Sequence, residues 1–416
     1  MPQEDKNLTR REFIKKAGVT GLTTLFAVSA GVGGDLLAEE AKKEAGDQKP
    51  QIPDIPMRKF GKTGVEVSIL SLGGIVDFTS NQILLKKSLD WNISYWDTAN
   101  SYNGGNSELG IGKFFEKFPE ARKKIFLVTK GGSRDLKELT KMLNLSLERM
   151  KTDYIDLYFL HHVRNVTELT PELKAWVENA KKEKKIKFFG FSTHSNMGTL
   201  MQNASTLGWI DGIMTTYNYK VMFTDEMKKG VEACHKAGIG VTAMKTQARR
   251  SRRRRQTTED DLSFAEKFIQ KGYSPEQAKL KIVWENEQIA SICSQMTNLT
   301  IMSANMAASV DKTKLELSDL GAFKTHAAKT CNEYCAGCSE ICEKAMGGDT
   351  CIAEVMRYMM YHHGYGDTKR AREEFASLPA RIRSNMAQLD YSPAEQVCPQ
   401  KIAIGEIMRE ASGILA

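Results

Sequence analysis

The chain has 416 residues, of which 41% are hydrophobic and 26% charged, the balance of a protein with one large core and room for a smaller unit. The formal net charge is +8, but Arg249, Arg250, Arg252, Arg253, Arg254 and Arg255 account for most of that excess, which argues against a nucleic-acid-binding face. Apart from the N-terminus discussed next, the apolar runs are short, so the mature chain is expected to carry no stable membrane span.

The chain opens with Thr9-Arg10-Arg11-Glu12-Phe13-Ile14-Lys15-Lys16, then a mild apolar stretch from Ala17 to Ala30. Paired arginines ahead of a weakly apolar segment resemble a twin-arginine export signal, with cleavage expected after Ala30. The resemblance implies transit through the twin-arginine translocase and a periplasmic or extracytoplasmic address. Gly31 to Pro56 is charged and punctuated by proline, and reads as a linker, so residues 1–50 are assigned to signal and linker.

From Met57 the pattern alternates between short β-rich runs and amphipathic helices. The expected strands are Val67–Leu72, Ser94–Thr98, Ile125–Thr129, Ile155–Leu160, Phe188–Ser192, Gly212–Tyr217, Gly240–Met244 and Ile289–Cys293. Between them, Leu136, Leu139, Leu143, Leu147 and Met150 recur at helical spacing. Single strands separated by single helices require parallel pairing through right-handed crossovers. Eight such units predict an α/β protein with a (β/α)8 TIM barrel over residues 51–322. No G-x-G-x-x-G follows the first strand, so a Rossmann dinucleotide site is not supported.

In such barrels the chemistry sits at the C-terminal strand ends. Asp97, Lys130 and His161 end the second, third and fourth expected strands, and Tyr102 lies in the loop after Asp97. A lysine beside a tyrosine favours the phenolate and is expected to lower the Tyr102 pKa, while Asp97 holds Lys130 charged. His161 is placed to orient a carbonyl oxygen that Tyr102 protonates. His162 competes with His161, but strand alternation would point it away from the axis.

Several ordered motifs resemble the aldo-keto reductase superfamily: Met57–Ser68 with Ser71-Leu72-Gly73-Gly74, then Asp97-Thr98-Ala99 with Tyr102, Ser107, Glu108 and Gly112, then Thr152–Tyr158 before His161. The resemblance covers about Met57 to Ala307. It implies that Asp97, Tyr102, Lys130 and His161 are the catalytic tetrad, that NADPH or NADH supplies hydride, and that the substrate is a small carbonyl compound or alcohol. It further implies cofactor contacts from Ser192 and Thr193, a stacking platform at Tyr217 with Asn218, and a phosphate-end contact from Asn305. The chain departs from the family where Met214 replaces a glutamine. From Ser294 to Asn298 the loop also lacks a Lys or Arg for a phosphate. The arginine run after the seventh strand either clamps pyrophosphate, forms a solvated loop or meets an anionic partner.

Residues 323–416 carry Cys331, Cys335, Cys338 and Cys342 in a C-x3-C-x2-C-x3-C run, then Cys351 and Cys398-Pro399. Such spacing suits an iron–sulfur cluster, with zinc or disulfides as alternatives. The segment resembles the ferredoxin-like C-terminal extension of the iron–sulfur branch of the same superfamily. That resemblance implies a 4Fe-4S cluster on Cys331, Cys335, Cys338 and Cys398, with Cys342 or Cys351 as alternative ligands. It also leaves room for a redox partner. Cys234 and Cys293 read as small buried hydrophobes. Met356–His363 reads as a helix whose paired histidines are structural. Two functions follow: an exported oxidoreductase, or an electron-transfer or binding protein on a barrel whose nicotinamide site has decayed.

Overall fold

The computed structural model describes residues 54–251, 257–348 and 350–416. The signal, nearly all of the linker, and Arg252, Arg253, Arg254 and Arg255 lie outside the described residues. Strands β1 (Met57–Lys59) and β2 (Glu66–Ser68) form an antiparallel hairpin. Gly61 turns it with φ +54, and a Cβ there would stand 2.2 Å from the carbonyl oxygen of Gly238. The hairpin drives Phe60, 0% exposed, against Tyr95 and Phe126 at ring-centre distances of 6.2 and 5.4 Å. A fully buried aromatic of this kind contributes about 1.5–3 kcal/mol.

Eight parallel strands then close a barrel: β3 (Leu70–Gly73), β4 (Tyr95–Asp97), β5 (Phe126–Gly131), β6 (Ile155–Leu160), β7 (Ile186–Thr193), β8 (Gly212–Thr216), β9 (Gly240–Met244) and β10 (Ile289–Ser294), which pairs back onto β3. The expected first strand, Val67–Leu72, is two strands. Val67 pairs with Arg58 in the hairpin, and Ile69 donates its N–H to the carbonyl of Pro56, so only Leu70 onward joins the barrel.

The outer layer contains α1 (Gln82–Asp90), α2 (Asn106–Lys117), α3 (Leu136–Met150), α4 (Pro171–Lys182), α5 (Met197–Ser205), α6 (Asp225–Ala237), α7 (Glu259–Gln270), α8 (Pro275–Trp284) and α9 (Leu299–Val310). Helix α3 shows why the local sequence suffices. The Asp135 carboxylate caps it by accepting from the N–H groups of Lys137 and Glu138, and Leu139, Leu143 and Met150 face inward.

The rest of the chain is helical: α10 (Leu317–Lys329), a 3-10 turn at Cys331–Glu333, α11 (Ser339–Ala345), α12 (Ile352–Tyr365), α13 (Thr368–Ala376), α14 (Ala380–Asn385), α15 (Ser392–Val397) and α16 (Ile404–Ile414). It packs directly on the barrel. Asn218 donates to the hydroxyl of buried Tyr334 (2.9 Å), Lys220 donates to the carbonyl of Thr330 (2.7 Å), and Arg164 pairs with Glu354 (3.0 Å). All three barrel residues follow C-terminal strand ends, so the helical segment roofs the face on which barrel chemistry sits. No helix among the described residues is long and apolar enough to cross a membrane.

Candidate active site

Alternation along the strands sorts side chains between the barrel interior and the helix layer. Tyr95, Phe126, Val128, Leu157, Phe159, Met214 and Ala290 fill the interior with Phe60. Continuing the same faces upward, Asp97, Lys130 and His161 emerge at the mouth. The Lys130 ammonium donates to the Asp97 carboxylate at 2.5 Å and to the carbonyl of Thr98 at 2.7 Å. Tyr102 enters from the short turn after β4. Its ring centre is 5.0 Å from Lys130 Nζ and 5.8 Å, edge-on, from the His161 ring. The four expected residues therefore share one site.

Burial alone would lower the Lys130 pKa; Asp97 first, then Tyr102 and Cys293, outweigh it and hold it above the usual lysine value. Tyr102 runs opposite to expectation. Burial pushes it up to about 12, a larger effect than the pull of Lys130 toward the phenolate. It is a proton donor at neutral pH, not a phenolate. His161 is held well below the usual imidazole range by burial first, then by Lys130 and Arg370, and so stays neutral.

Three neighbours complete the mouth. His162 does not turn away: its backbone adopts φ +58, which breaks the alternation, and its ring lies 3.9 Å from that of His161. His194 lies 5.3 Å from His162 and hydrogen-bonds Thr216 at 3.0 Å. Cys293 is not simply a small hydrophobe, because its thiol donates to the Asp97 carboxylate at 3.6 Å. Thr216 was within reach of the alternation that turns Met214 inward; Cys293, three residues after inward-facing Ala290, was not, because a register shift between Ile289 and Ser291 interrupts β10, and the left-handed turn at His162 carries no signal in its residue type.

The expected cofactor contacts divide. Ser192 faces the mouth, where its hydroxyl oxygen accepts the N–H of His162 at 3.1 Å. Thr193 faces outward and is fully buried, with its hydroxyl donating to the carbonyl of Ser195 at 3.0 Å, so it offers nothing to the mouth. Tyr217 also points outward, into the layer between barrel and helices, where its hydroxyl accepts from Asn286 at 2.8 Å. It cannot serve as a stacking platform, since the alternation that sends Met214 and Thr216 inward sends Tyr217 out. Asn218 is tied to Tyr334. Asn305 is 6% exposed and donates to Ser294 Oγ at 3.0 Å, which fixes α9 to the end of β10.

The cysteines assemble differently from the expected set. Cys335, Cys338, Cys342 and Cys398 line one small cavity with Ile352, Met356 and Ile404. Burial first, then Cys398, pushes Cys338 up to about 11; burial first, then Glu343 and after it Cys338 and Cys398, pushes Cys342 up to about 12. Cys331 lies outside this cavity, beside Lys220, because the 3-10 turn carries it to the barrel side of the loop. Of the cysteines expected as ligands, Cys335, Cys338, Cys342 and Cys398 therefore share the cavity and Cys331 does not. No disulfide joins any described cysteine. No three His, Cys, Asp or Glu side chains among the described residues converge closely enough for a single metal ion.

The cysteine loop is seated on the end of β7. Asn196 takes the carbonyl of Gly337 on its N–H (2.8 Å), and Gly337 has φ +76 with room for no Cβ: one built there would stand 2.1 Å from the carbonyl oxygen of His194. Gly337→Ala is expected to cost about 1–3 kcal/mol in chemical denaturation. Gly132→Ala, where a Cβ meets open space, is the control, and equal stability of the two variants would contradict the seating.

A model of the Aldo/keto reductase family matches residues 70–348. An aldo-keto reductase of Fusarium vanettenii is 25% identical over 232 residues, covering 45% of this chain and 62% of that protein. A Schizosaccharomyces pombe aldo-keto reductase whose name carries NADP(+) is 27% identical over 209 residues, covering 45% of this chain and 59% of that one. The holo form of an aldo-keto reductase from Bacillus halodurans superposes with a TM-score of 0.54 at 22% identity, over 65% of this chain and 96% of that chain, a likeness of fold. The chain spans less than two thirds of the length of the curated relatives it matches.

Proposed function

The chain belongs to the aldo/keto reductase family, and on that premise we propose that it is a nicotinamide-dependent oxidoreductase that reduces a small carbonyl compound or oxidises the corresponding alcohol. The observation that carries this reading is the convergence of Tyr102, buried Lys130–Asp97 and neutral His161 at the barrel mouth. A bound nicotinamide supplies hydride to the carbonyl carbon. The protein handles the proton: the Tyr102 hydroxyl donates it to the carbonyl oxygen as negative charge develops there. The neutral His161 imidazole orients that oxygen, and Lys130, fixed by Asp97, stabilises the resulting phenolate.

The residues fit the reacting end of such a cofactor better than its phosphate end. Ser192, His194 and Thr216 present polar groups toward the mouth. Between Ser294 and Asn298 no Lys or Arg is present, and the Asn305 amide is already committed to Ser294. The name of the fission-yeast relative supports NADP over NAD. The departures at Met214 and the phosphate loop favour the second reading, an electron-transfer or binding protein on a decayed site. The deciding experiment is NADPH titration followed by NADPH oxidation with a panel of aldehydes and ketones. Neither binding nor turnover would leave the second reading standing.

The pH dependence has a definite sign. With Tyr102 at about 12, its proton is retained across the neutral range, so kcat for reduction is insensitive to this group until pH nears that value. Alcohol oxidation needs the phenolate, so its kcat is expected to rise about tenfold per pH unit up to the same point. An oxidation profile flat from neutral to alkaline pH would contradict Tyr102 as the base.

The four-thiol cavity supports a 4Fe-4S cluster held by Cys335, Cys338, Cys342 and Cys398. The thiols line one space, although no three His, Cys, Asp or Glu side chains among the described residues are close enough together to hold a metal ion. The twin-arginine motif at Arg10-Arg11 supports export of the folded, loaded protein to an extracytoplasmic compartment, where a redox partner exchanges electrons with the cluster.

A further inference from the structure

The helical roof brings cations close to the tetrad. Arg357 of α12 and Arg370 of α13 lie close enough to His161 to help keep it neutral, and Arg370 also acts on Tyr102. Lys245, at the end of β9, points to the same place. Its ammonium is 3.3 Å from the Tyr361 hydroxyl and 4.5 Å from the ring centre. Arg370 approaches Tyr361 from the other side, with Nη2 3.3 Å from the hydroxyl and the guanidinium 4.1 Å from the ring. Arg357 and Lys245 line one cavity with His194 and Thr216, so the cluster opens onto the mouth.

Two of these cations have no carboxylate within ion-pair distance among the described residues. Arg357 and Lys245 form no ion pair among the described residues, and the buried Nε of Arg357 has no hydrogen-bond partner. Of the three only Arg370 forms an ion pair, with Glu374 at 3.5 Å, and Asp367 caps the start of its helix; Glu374 and Glu354 act on Arg357 from beyond ion-pair distance. Inside the tetrad, Lys130 is already neutralised by Asp97. His161, His162 and His194 carry no compensating charge. Each of Lys245, Arg357, Arg370 and Tyr102 is largely enclosed by protein yet keeps partial exposure, so they border an accessible space instead of a dry core. Gathering three cations in one enclosure is unfavourable unless an anion joins them.

Building on the oxidoreductase reading, we propose that Arg357, Arg370 and Lys245 form an anion-binding roof over Tyr102 and His161, and that the preferred substrate carries a carboxylate next to its reacting carbonyl, as a 2-oxo acid or 2-hydroxy acid does. Arginine suits this task because its planar fork matches a carboxylate. Tyr361 is the positioning residue that holds Lys245 and Arg370 at their spacing when the site is vacant. Burial works against its phenolate, but Arg370, Lys245 and Arg357 outweigh burial and bring its pKa below the ordinary phenol value, a sign of how much positive potential the enclosure holds.

The test is calorimetric titration of the anaerobically purified, full-length protein with oxamate, with its neutral counterpart oxamide, and with inorganic phosphate. Oxamate is expected to bind and oxamide not. Arg357→Gln and Arg370→Gln are each expected to weaken oxamate by about tenfold to a hundredfold. Arg357→Lys and Arg370→Lys, which keep the charge, recover part of that loss, while exposed Lys228→Gln changes nothing. Melting curves identify any variant that fails to fold, and the Lys variants then carry the comparison. Equal binding of oxamate and oxamide, binding of neither, binding of phosphate alone, or unchanged oxamate affinity in both Gln variants would overturn the proposal. The readout needs no turnover. Oxamate binding without NADPH-dependent reduction removes the oxidoreductase reading and leaves the anion site; reduction of neutral ketones without oxamate binding does the reverse.

Discussion

Tyr102→Phe is expected to lower kcat for carbonyl reduction by about a thousandfold while leaving NADPH affinity within about twofold. The substitution deletes one oxygen and keeps the ring that packs between Lys130 and His161. The fold and the ion pair beneath it remain. What is lost is the one hydroxyl whose pKa, about 12, keeps its proton at neutral pH while Lys130 and Arg370 ease its departure. His161 cannot substitute, because burial and the surrounding cations hold it neutral and well below the usual imidazole range. Stopped-flow measurement of NADPH oxidation separates the chemical step from binding. Retention of more than about a tenth of the wild-type rate would show that the proton comes from elsewhere, with His162 and His194 the next groups to test.

The second large effect concerns the cysteines, where two variants of the same chemistry are expected to behave oppositely. Cys398→Ser should lose most of the iron and the visible charge-transfer absorption of anaerobically purified protein, against about four iron atoms per wild-type chain. Cys331→Ser should keep both. The reason is geometric: Cys398 closes the cavity formed by Cys335, Cys338 and Cys342, whereas Cys331 stands beside Lys220 outside it. The walls of that cavity, Ile352, Met356 and Ile404, also belong to the core that joins the helical segment together. Loss of the cluster is therefore expected to lower thermal stability as well as remove colour. The opposite pattern, with Cys331 required and Cys342 dispensable, would refute this ligand set.

How much could be read in advance depends on the range over which the controlling forces act. The tetrad was legible because each member is fixed by its own strand or the loop after it. Once the strand and its inward face are known, Asp97, Lys130 and His161 follow, and Tyr102 enters from the adjoining turn. The same rule, applied to Thr193 and Tyr217, would have turned them outward, where Ser195 and Asn286 hold them. His162 escaped the rule because one left-handed residue resets the alternation. The direction of the Tyr102 shift was also out of reach. Desolvation depends on everything that packs around the ring, including a roof contributed by distant helices.

By itself, then, the sequence determined the barrel, its strand order and the four residues that converge at its mouth, since hydrophobic periodicity and strand-end position act within a few residues. The cysteine motif pointed to thiols gathered in one loop but not to which of them share a cavity. Only the tertiary structure decided that Cys342 shares a cavity with Cys335, Cys338 and Cys398 while Cys331 does not, that Arg357 and Lys245 line one cavity with His194, and that Lys245 and Arg370 meet at Tyr361. Those choices rest on where α11 to α16 settle on the barrel mouth. That placement is set by seating contacts such as Gly337 on His194 and Asn218 on Tyr334, between residues far apart in the chain, and no local pattern encodes them.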